Sequence, residues 1–389
     1  MKASLAARLA ERSQQRQAQG LVRQRTVASP VDNPEGRPLV SVNGRVLLNF
    51  SSNDYLGLSR APALSAAMAR AASELPCGST ASPLVCGHHP AHHRLEEALA
   101  GFTGYPAVAL FASGYQANLA VGQALFERGQ AVLADRLNHA SLNDGLRLAG
   151  ARILRYRHAD AADAARRLKT GTAALVTDSV FSMDGDQAPL TELHALCQSH
   201  DLPLWVDDAH AFGVLGQQGR GALEAQGVDK ADIYVATFGK ALGLAGAFVA
   251  GDTALIEEIQ NSGRGLVYST GMSPVMAETA RMALSLVADG EALRQRLRAN
   301  IQRWQALGHE HALDLPERDG PIQIVPVGDN DRAVALSQVL FAGGFLVSAI
   351  RPPTVPAGTA RLRITLSASH REQDLDALAQ TLANALEHR

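Results

Sequence analysis

Residues 236 to 247 read Ala-Thr-Phe-Gly-Lys-Ala-Leu-Gly-Leu-Ala-Gly-Ala, which places Lys240 among glycines and small apolar residues. Only four lysines occur among the 36 lysine and arginine residues, so arginine stands almost wherever a generic cation would serve. Desolvation disfavours the ammonium form of a lysine and leaves a nucleophilic amine. Such amines form Schiff bases, most often with pyridoxal 5′-phosphate (PLP). A solvated lysine on a glycine-rich loop is the alternative that this stretch alone leaves open.

Apolar runs flank this stretch and recur through the middle of the chain. Each run is continuously apolar, which is typical of strands buried on both faces of a sheet. Helical stretches between most of them predict an α/β fold with a mainly parallel, doubly covered sheet. The last run follows its predecessor after a short turn, so it is the candidate antiparallel strand. The candidate strands are 107–111, 131–134, 152–156, 173–179, 203–207, 233–237 and 247–250.

The two ends of the chain read as additions to this sheet. Before it we expect a helix, an extended arm and a strand pair around the turn Asn43-Gly44. After it, an arginine-rich helix at about 275–308 leads to strands and helices of an α+β unit. Those elements are strands 322–326, 345–349 and 360–366 and helices 331–342 and 371–387. The expected division is an N-terminal helix and arm (1–50), a large PLP-binding domain (51–280) and a small C-terminal domain (281–389).

Composition limits the classes of function and partner. A net charge of −2 argues against nucleic acid or an anionic membrane as a partner. No apolar run reaches the roughly 18 residues that span a bilayer. The three cysteines form no C-x-x-C pair, which fits a reducing cytoplasm. The arginine-rich N-terminus resembles a transit peptide, but Glu11 and the spacing of Leu5, Leu9 and Leu21 favour an amphipathic helix.

The motif Val206-Asp207-Asp208-Ala209-His210 follows a candidate strand upstream of Lys240. Ligands of open α/β sheets bind at the carboxyl ends of strands, and Asp207 ends one. A buried carboxylate there can keep a pyridinium nitrogen protonated, which makes a PLP ring an electron sink. Two alternatives stay open for this motif alone. Asp208 could cap a helix, or Asp207 and His210 could form a metal pair, although no third ligand has matching spacing.

Three more strand ends carry polar motifs. Ser113-Gly114-Tyr115 opens a helix, whose backbone N–H groups suit a phosphate, and Tyr115 could stack on a ring. His139 follows the next strand and could lie over a cofactor ring, or it could simply cap a helix. Ser182, in Phe181-Ser-Met-Asp-Gly-Asp, is a candidate donor to a ring hydroxyl, with an ordinary Asp-Gly turn as the alternative.

Four histidines, at positions 88, 89, 92 and 93, suggest a metal site. Pro90 interrupts the cluster, so only His92 and His93 are expected within the helix that continues Arg-Leu-Glu-Glu-Ala-Leu. We interpret the cluster as a loop-to-helix junction and predict no metal site in this chain.

Taken in chain order, these segments resemble the α-oxoamine synthase family of PLP enzymes over about residues 20 to 385. The resemblance implies the aspartate-aminotransferase-like fold (fold type I) and a homodimer with active sites at the subunit interface. It is carried by Asn49-Phe-Ser-Ser-Asn-Asp-Tyr-Leu-Gly-Leu58, Ser113-Gly-Tyr115, His139-Ala-Ser141, Phe181-Ser-Met-Asp-Gly-Asp186, Asp207-Asp-Ala-His210, Thr237-Phe-Gly-Lys240 and Tyr268-Ser-Thr270.

Members of this family join an amino acid to an acyl thioester with loss of CO₂. The resemblance implies that Lys240 holds PLP and moves the Cα proton, that Asp207 pairs with the pyridinium nitrogen, and that His139 polarises the thioester carbonyl. His210 and Ser182 would hold the ring oxygen. Gly114, Tyr115 and Thr237 would bind the cofactor from one subunit, and Ser269 and Thr270 would reach its phosphate from the other. On the substrate side the resemblance implies Arg363 for the carboxylate, and Arg23, Asn53, Arg351 and Thr354.

The segment at 349–363, Ala-Ile-Arg-Pro-Pro-Thr-Val-Pro-Ala-Gly-Thr-Ala-Arg-Leu-Arg, separates members of the family. Its double proline resembles the member that joins L-alanine to a pimeloyl thioester, rather than those that use glycine with succinyl- or acetyl-CoA. One departure is Ala81-Ser82-Pro83, where the family has Gly-Ser-Arg, which puts an arginine contact in doubt.

Two further questions stay open at the level of sequence. The thioester carrier is either CoA or acyl carrier protein, and Arg294, Arg296 and Arg298 suit either an acidic carrier or a solvated helix face. A cofactor-free interaction subunit is the rival from another class of protein. The presence of Lys240 and Asp207 argues against that rival.

Overall fold

The computed structural model of the chain describes residues 2–18, 21–22, 25–33 and 35–387. The strands are β1 (Ala28–Pro30), β2 (Leu39–Val42), β3 (Arg45–Asn49), β4 (Ala107–Phe111), β5 (Ala131–Asp135), β6 (Arg152–Tyr156), β7 (Thr172–Asp178), β8 (Leu204–Asp207), β9 (Ile233–Thr237), β10 (Ala247–Gly251), β11 (Ile322–Gly328), β12 (Phe345–Leu346), β13 (Ser348–Ile350) and β14 (Ala360–Thr365).

The helices follow the same chain order. They are α1 (Lys2–Ala18), α2 (Pro62–Glu74), α3 (Pro90–Thr103), α4 (Gly114–Leu125), α5 (Ala140–Ala149), α6 (Ala161–Arg167), α7 (Leu190–Ser199), α8 (Ala222–Ala225), α9 (Thr253–Ser262), α10 (Arg264–Val267), α11 (Pro274–Ala288), α12 (Glu291–Glu310), α13 (Asn330–Ala342) and α14 (Glu372–Glu387). Short 3₁₀ segments span Leu58–Arg60 and Gln217–Gly219, and a π-helical turn spans Pro83–Gly87.

The central sheet has seven strands in the order β4-β10-β9-β8-β7-β5-β6. β10 is antiparallel to both of its neighbours, and the other pairs are parallel, as the sequence predicted. The apolar runs are buried on both faces because successive side chains point to opposite sides. In β8, Leu204 and Val206 pack in one hydrophobic core and Trp205 packs in the other. The expected α/β architecture is therefore confirmed.

This topology brings the ends of five strands to one edge. β4 and β9 are both antiparallel to β10, so β4 runs in the same direction as the parallel strands. The turns that follow β4, β5, β7, β8 and β9 consequently lie at the same carboxyl edge. Ligands of open α/β sheets bind at such an edge.

Two small sheets flank the central one. One has the order β11-β14-β13 and is antiparallel, and the other has the order β1-β2-β3-β12. The strand expected at 345–349 is in fact two strands, because β12 pairs with β3 whereas β13 pairs with β14. Residues near position 345 thus complete a sheet that starts in the N-terminal arm. The domain boundaries at residues 50 and 280 stay a prediction.

The long helix expected at 275–308 was wrong, because the chain breaks at Asp289 and Gly290 into α11 and α12. Arg294 reaches back across the break and donates to the Val287 carbonyl and to Glu291. Its side chain is therefore buried, so Arg294 is not part of an exposed basic face. α1 confirms the N-terminal helix, although it ends before Leu21.

Among the described residues, no helix combines the length and the apolar character that a membrane span requires.

Candidate active site

A pocket of about 180 Å³ opens at the carboxyl edge of the central sheet. Its walls come from the turns after β4, β5, β7, β8 and β9, so residues far apart in sequence meet there. The lining residues are Gly114, Tyr115, His139, Ser141, Asp178, Asp207, Ala209, His210, Thr237 and Lys240. The sequence had predicted Gly114, Tyr115, His139, Asp207, His210, Thr237 and Lys240 as site residues, and the structure brings them together.

Lys240 lies in the turn between β9 and β10. Burial lowers its pKa from 10.5 to about 8, and the positive charge of Arg363 acts in the same direction. The carboxylates of Asp207 and Asp178 oppose this shift. The amine is therefore available as a nucleophile close to neutral pH, as the surrounding small residues had indicated.

Asp207 is the last residue of β8 and is buried. One carboxylate oxygen accepts a hydrogen bond from the Asn118 amide at 2.6 Å, and the other accepts from the Ala209 backbone at 3.0 Å. The same Asn118 amide donates to Ser141 Oγ at 2.8 Å. A buried carboxylate with fixed orientation suits the role of partner to a ring nitrogen that carries a proton.

His139 caps α5, as one of the two sequence interpretations had it, and it also lines the pocket, while its place over a cofactor ring stays a prediction. Its backbone N–H donates to Asp178 at 2.6 Å, and its Nδ1 is 2.7 Å from Ser141 Oγ. Burial lowers the pKa of His139. The negative charge of Asp207 opposes this shift, and the positive charge of Lys240 adds to it. The ring is therefore neutral at pH 7, and its other nitrogen remains to meet a ligand.

His210 is buried, and its Nδ1 lies 2.6 Å from the hydroxyl of Tyr55. Burial lowers the pKa of His210 well below its usual range, and the charges of Lys240 and Arg363 add to this effect. A neutral imidazole has one donor and one acceptor nitrogen. The bond to Tyr55 uses Nδ1 and leaves Nε2 as the nitrogen that can serve the pocket.

The N-terminus of α4 forms one wall. The Ser113 side chain caps the helix by accepting from Gln116 N at 3.2 Å. A Cβ added at Gly114 would come no closer than 3.8 Å to Thr237 Cβ, so the backbone of α4 is open towards the β9 turn. Tyr115 is held by a hydrogen bond to Asp144 at 2.6 Å. Exposed N–H groups at a helix start bind phosphate.

Arg363 enters from β14 of the small sheet. It donates to the Ser182 carbonyl at 2.7 Å, to Thr365 Oγ1 at 2.9 Å and to Asn53 Oδ1 at 3.1 Å. These bonds fix the plane of the guanidinium, which has five N–H donors in total. Its charge affects both Lys240 and His210, so a substrate carboxylate at Arg363 would lie next to the reacting amine.

The remaining predicted residues lie outside the pocket walls. Ser182 contacts the site through its carbonyl, which holds Arg363, and the role predicted for its hydroxyl stays a prediction. Arg351 and Thr354 lie in the segment between β13 and β14, where the Thr354 N–H donates to the Arg351 carbonyl. Ser269 and Thr270 lie between α10 and α11, away from this pocket. Arg23 lies outside the described residues.

The contacts of Asp207, Asp208 and His210 bear on the two alternatives for the Asp-x-x-His motif, a helix cap and a metal pair. Asp208 accepts hydrogen bonds from Tyr234 at 2.7 Å and from Ala222 N at the start of α8, so it does bind a helix start, although a distant one. Burial raises the pKa of Asp208 to about 7. Among the described residues, the His, Cys, Asp and Glu side chains close enough to share a metal ion do not include Asp207 and His210, which does not favour a metal pair.

Sequence analysis missed the residues that hold the site residues in place. Tyr55, Asn118, Ser141 and Asp178 support His210, Asp207 and His139. Asn118 offered a signal, because an amide in an apolar helix needs a buried partner. Tyr55 offered none, because its contact with His210 spans 155 residues.

The chemistry of the donor set fits PLP. Lys240 supplies the amine, Asp207 a buried carboxylate for the ring nitrogen, His139 a neutral ring beside them, and the start of α4 the N–H groups for phosphate.

Comparison with known proteins agrees with this fit. The sequence profile of the family described as "Aminotransferase class I and II" matches residues 45–382. The chain belongs to this family. A curated relative from Methylococcus capsulatus, named 8-amino-7-oxononanoate synthase, is 49% identical over 361 residues, which is 92% of this chain and 93% of the relative.

Solved structures of the family share the fold. A structure of SPT with the PLP internal aldimine superposes with a TM-score of 0.91 at 29% identity, covering 100% of this chain and 98% of that one. An 8-amino-7-oxononanoate synthase from Francisella tularensis superposes with a TM-score of 0.78 at 29% identity, covering 88% and 98%. The family membership confirms the expected fold type I architecture and indicates dependence on PLP.

Proposed function

We propose that this chain condenses L-alanine with a pimeloyl thioester to give 8-amino-7-oxononanoate, CO₂ and a free thiol, a step of biotin biosynthesis. The observation that carries the proposal is 49% identity over nearly the whole chain to a relative of that name, combined with the pocket around Lys240 and Asp207. The thioester carrier is CoA or acyl carrier protein. The three cysteines of this chain form no disulfide, which fits the cytoplasmic location that we propose.

Lys240, Asp207 and His210 would hold PLP. When bound, PLP supplies an electron sink for the charge that remains at the amino-acid Cα. With its pKa lowered to about 8, part of the Lys240 population carries a neutral amine near neutral pH, and this form accepts the Cα proton of L-alanine and later returns one. Asp207 stabilises a proton on the ring nitrogen through its fixed negative charge. Asn118 holds that carboxylate in one orientation.

Residues at the central sheet and at the sheet that contains β14 bind the substrates. The Arg363 guanidinium, fixed by Ser182 and Asn53, binds the alanine carboxylate until it leaves as CO₂. A neutral His139 donates to the thioester oxygen while the Cα–acyl bond forms and the thiolate leaves to become a thiol. Arg23, Arg351 and Thr354 are proposed as substrate-binding residues from the family resemblance alone.

We further propose a homodimer in which Ser269 and Thr270 of one subunit reach the phosphate in the other. Both residues lie outside the pocket of their own chain, and the neighbouring Tyr268 has 74% of its surface exposed.

Absorbance titration of the PLP-loaded protein tests the function. We expect the cofactor band to shift with L-alanine, and mass spectrometry to detect the aminoketone after pimeloyl-CoA is added. Lys240→Ala should form no aminoketone but remain folded. A product formed only from glycine with succinyl- or acetyl-CoA would move the assignment to another member of the family. Failure of the wild type to bind PLP would overturn the whole scheme.

A further inference from the structure

A second set of metal-ligand side chains lies outside the active site, at the start of α3. The set consists of His88, His93 and Glu96, and one ligand atom of each lies within 4.8 Å of the others. His93 and Glu96 are three residues apart on α3 and so share a face of the helix. His88 lies just before the helix and folds back so that its Nε2 is 3.6 Å from the Glu96 carboxylate.

The other two histidines of the cluster, His89 and His92, form hydrogen bonds within the protein. His92 is buried, its Nδ1 accepts from the His89 backbone at 2.8 Å, and its Nε2 is 2.7 Å from the Met272 carbonyl. The His89 ring caps α3 through Ala91 N at 3.2 Å. Both nitrogens of His92 are therefore used within the protein. This division separates two structural histidines from two that face Glu96.

The surroundings suit a cation held by side chains. His88, His93 and Glu96 line a cavity of about 460 Å³, whose other walls include Leu84, Leu110, Leu266 and Met272. Only 17% of the surface of the Glu96 side chain is exposed. Glu97, 3.3 Å from His93 Nε2, adds a second carboxylate beside the set.

We propose that His88, His93 and Glu96 bind one divalent transition-metal ion of the Zn²⁺ type. Two imidazoles and one carboxylate form a three-residue donor set that Zn²⁺ uses in proteins, with a fourth position left for water. Metal–ligand bonds of about 2.0 to 2.2 Å bring tetrahedral ligand atoms to roughly 3.4 Å from one another. Rotations of exposed side chains can close the present separation.

Such an ion would tie the π-helical turn Pro83–Gly87 to α3. Ser79 and His92 both bond the Met272 carbonyl, two residues after Thr270. The ion therefore belongs to the structure around the proposed phosphate-binding residues and takes no part in the reaction at Lys240. Its presence does not depend on the identity of the substrate.

Equilibrium dialysis of the PLP-loaded full-length protein against Zn²⁺ tests the proposal. We expect one tightly bound ion per chain in the wild type. Removal of a ligand in His88→Ala or Glu96→Gln should weaken binding about tenfold or more. The matched control is His309→Ala, which removes an exposed histidine at the end of α12 and should leave binding unchanged. The PLP absorbance band confirms that each variant is folded.

A thermal melt gives an independent reading. Zn²⁺ should raise the Tm of the wild type and of His309→Ala, because binding to the native state stabilises it, and should leave the Tm of His88→Ala unchanged. Equal binding by the wild type and both ligand variants would identify an adventitious ion only and would overturn the proposal. Absence of stoichiometric binding by the wild type would overturn it as well.

Discussion

At the scale of single residues, the protonation state of Lys240 results from opposing influences. Burial and Arg363 lower its pKa, whereas Asp207 and Asp178 raise it, and the balance leaves it at about 8. Lysine is suited to this position because its amine loses a proton readily when buried, which a guanidinium does not. The reactivity of the site is therefore a property of the surroundings of Lys240 as much as of the residue.

The first prediction concerns the pH dependence of cofactor attachment. Only the neutral amine attacks PLP, so the rate of attachment to cofactor-free protein should rise through about pH 8 and level off above it. Arg363→Gln removes a charge that lowers the pKa of Lys240 and should move the midpoint upwards. Arg363→Lys keeps the charge and should keep the midpoint. Stopped-flow absorbance between pH 6.5 and 9.5 measures all three, and one shared midpoint would refute the role of Arg363.

The second prediction concerns Tyr55→Phe, which removes the hydroxyl 2.6 Å from His210 Nδ1 and keeps the buried ring. Loss of one hydrogen bond costs about 1 kcal/mol, or about a fivefold fall in kcat. PLP affinity should fall less, because Lys240 and the start of α4 remain. Steady-state kinetics with L-alanine measures the fall in kcat, and a titration with PLP measures the smaller fall in affinity.

Phe341→Tyr is the matched control, because Phe341 lies in α13 away from the pocket and should leave kcat unchanged. A kcat of Tyr55→Phe equal to that of the wild type would show that Tyr55 does not position His210.

At the scale of elements, α4 and α5 line one side of the pocket and approach each other closely. A Cβ at Gly122 would meet the Gly145 backbone at 2.4 Å, and a Cβ at Gly145 would meet the Asn118 carbonyl at 2.4 Å. Two glycines therefore let the helix backbones touch. The contact sets the distance between Asn118 on α4 and Ser141 on α5, and through them the positions of Asp207 and His139.

The third prediction is that Gly145→Ala separates these helices. Overpacking against the rigid backbone should cost about 1 to 3 kcal/mol of the free energy of unfolding and should also lower kcat, because Asn118 moves. Gly101→Ala is the matched control, since nothing lies within 4 Å of its added Cβ on α3. That control should be neutral or more stable by about 0.5 to 1 kcal/mol. Urea unfolding measures both, and equal effects would contradict the close packing.

At the scale of the whole molecule, the fold brings together three separate parts of the chain. Asn53 follows the N-terminal strands, Lys240 belongs to the central sheet and Arg363 to the small sheet. Their convergence is produced by long-range strand pairing, such as that of β3 with β12.

The fourth prediction tests whether the active site is shared between subunits. A mixed dimer of one Lys240→Ala chain and one Ser269→Ala/Thr270→Ala chain has one intact site if the phosphate contacts come from the partner. We therefore expect activity in the mixed dimer well above that of either parent. The two parents, prepared with the same affinity tags, are the controls. A mixed dimer no more active than its parents would show that Ser269 and Thr270 act within their own chain or not at all.

Much of this arrangement was determined by the sequence itself. Continuous apolar runs predicted the strands of the central sheet, because burial on both faces leaves no alternation to misread. Polar motifs at strand ends predicted the pocket, because parallel strands bring their carboxyl ends to one edge. The antiparallel β10 was predicted from the short turn after Lys240. Each of these inferences depends on local pattern alone.

Only the tertiary structure decided the rest. The division of β12 from β13 depends on two different partner strands, β3 and β14. The support of His210 by Tyr55 and the pKa of Lys240 arise from contacts between distant segments or from burial. Such contacts leave no periodic trace in the chain, so packing alone determines them.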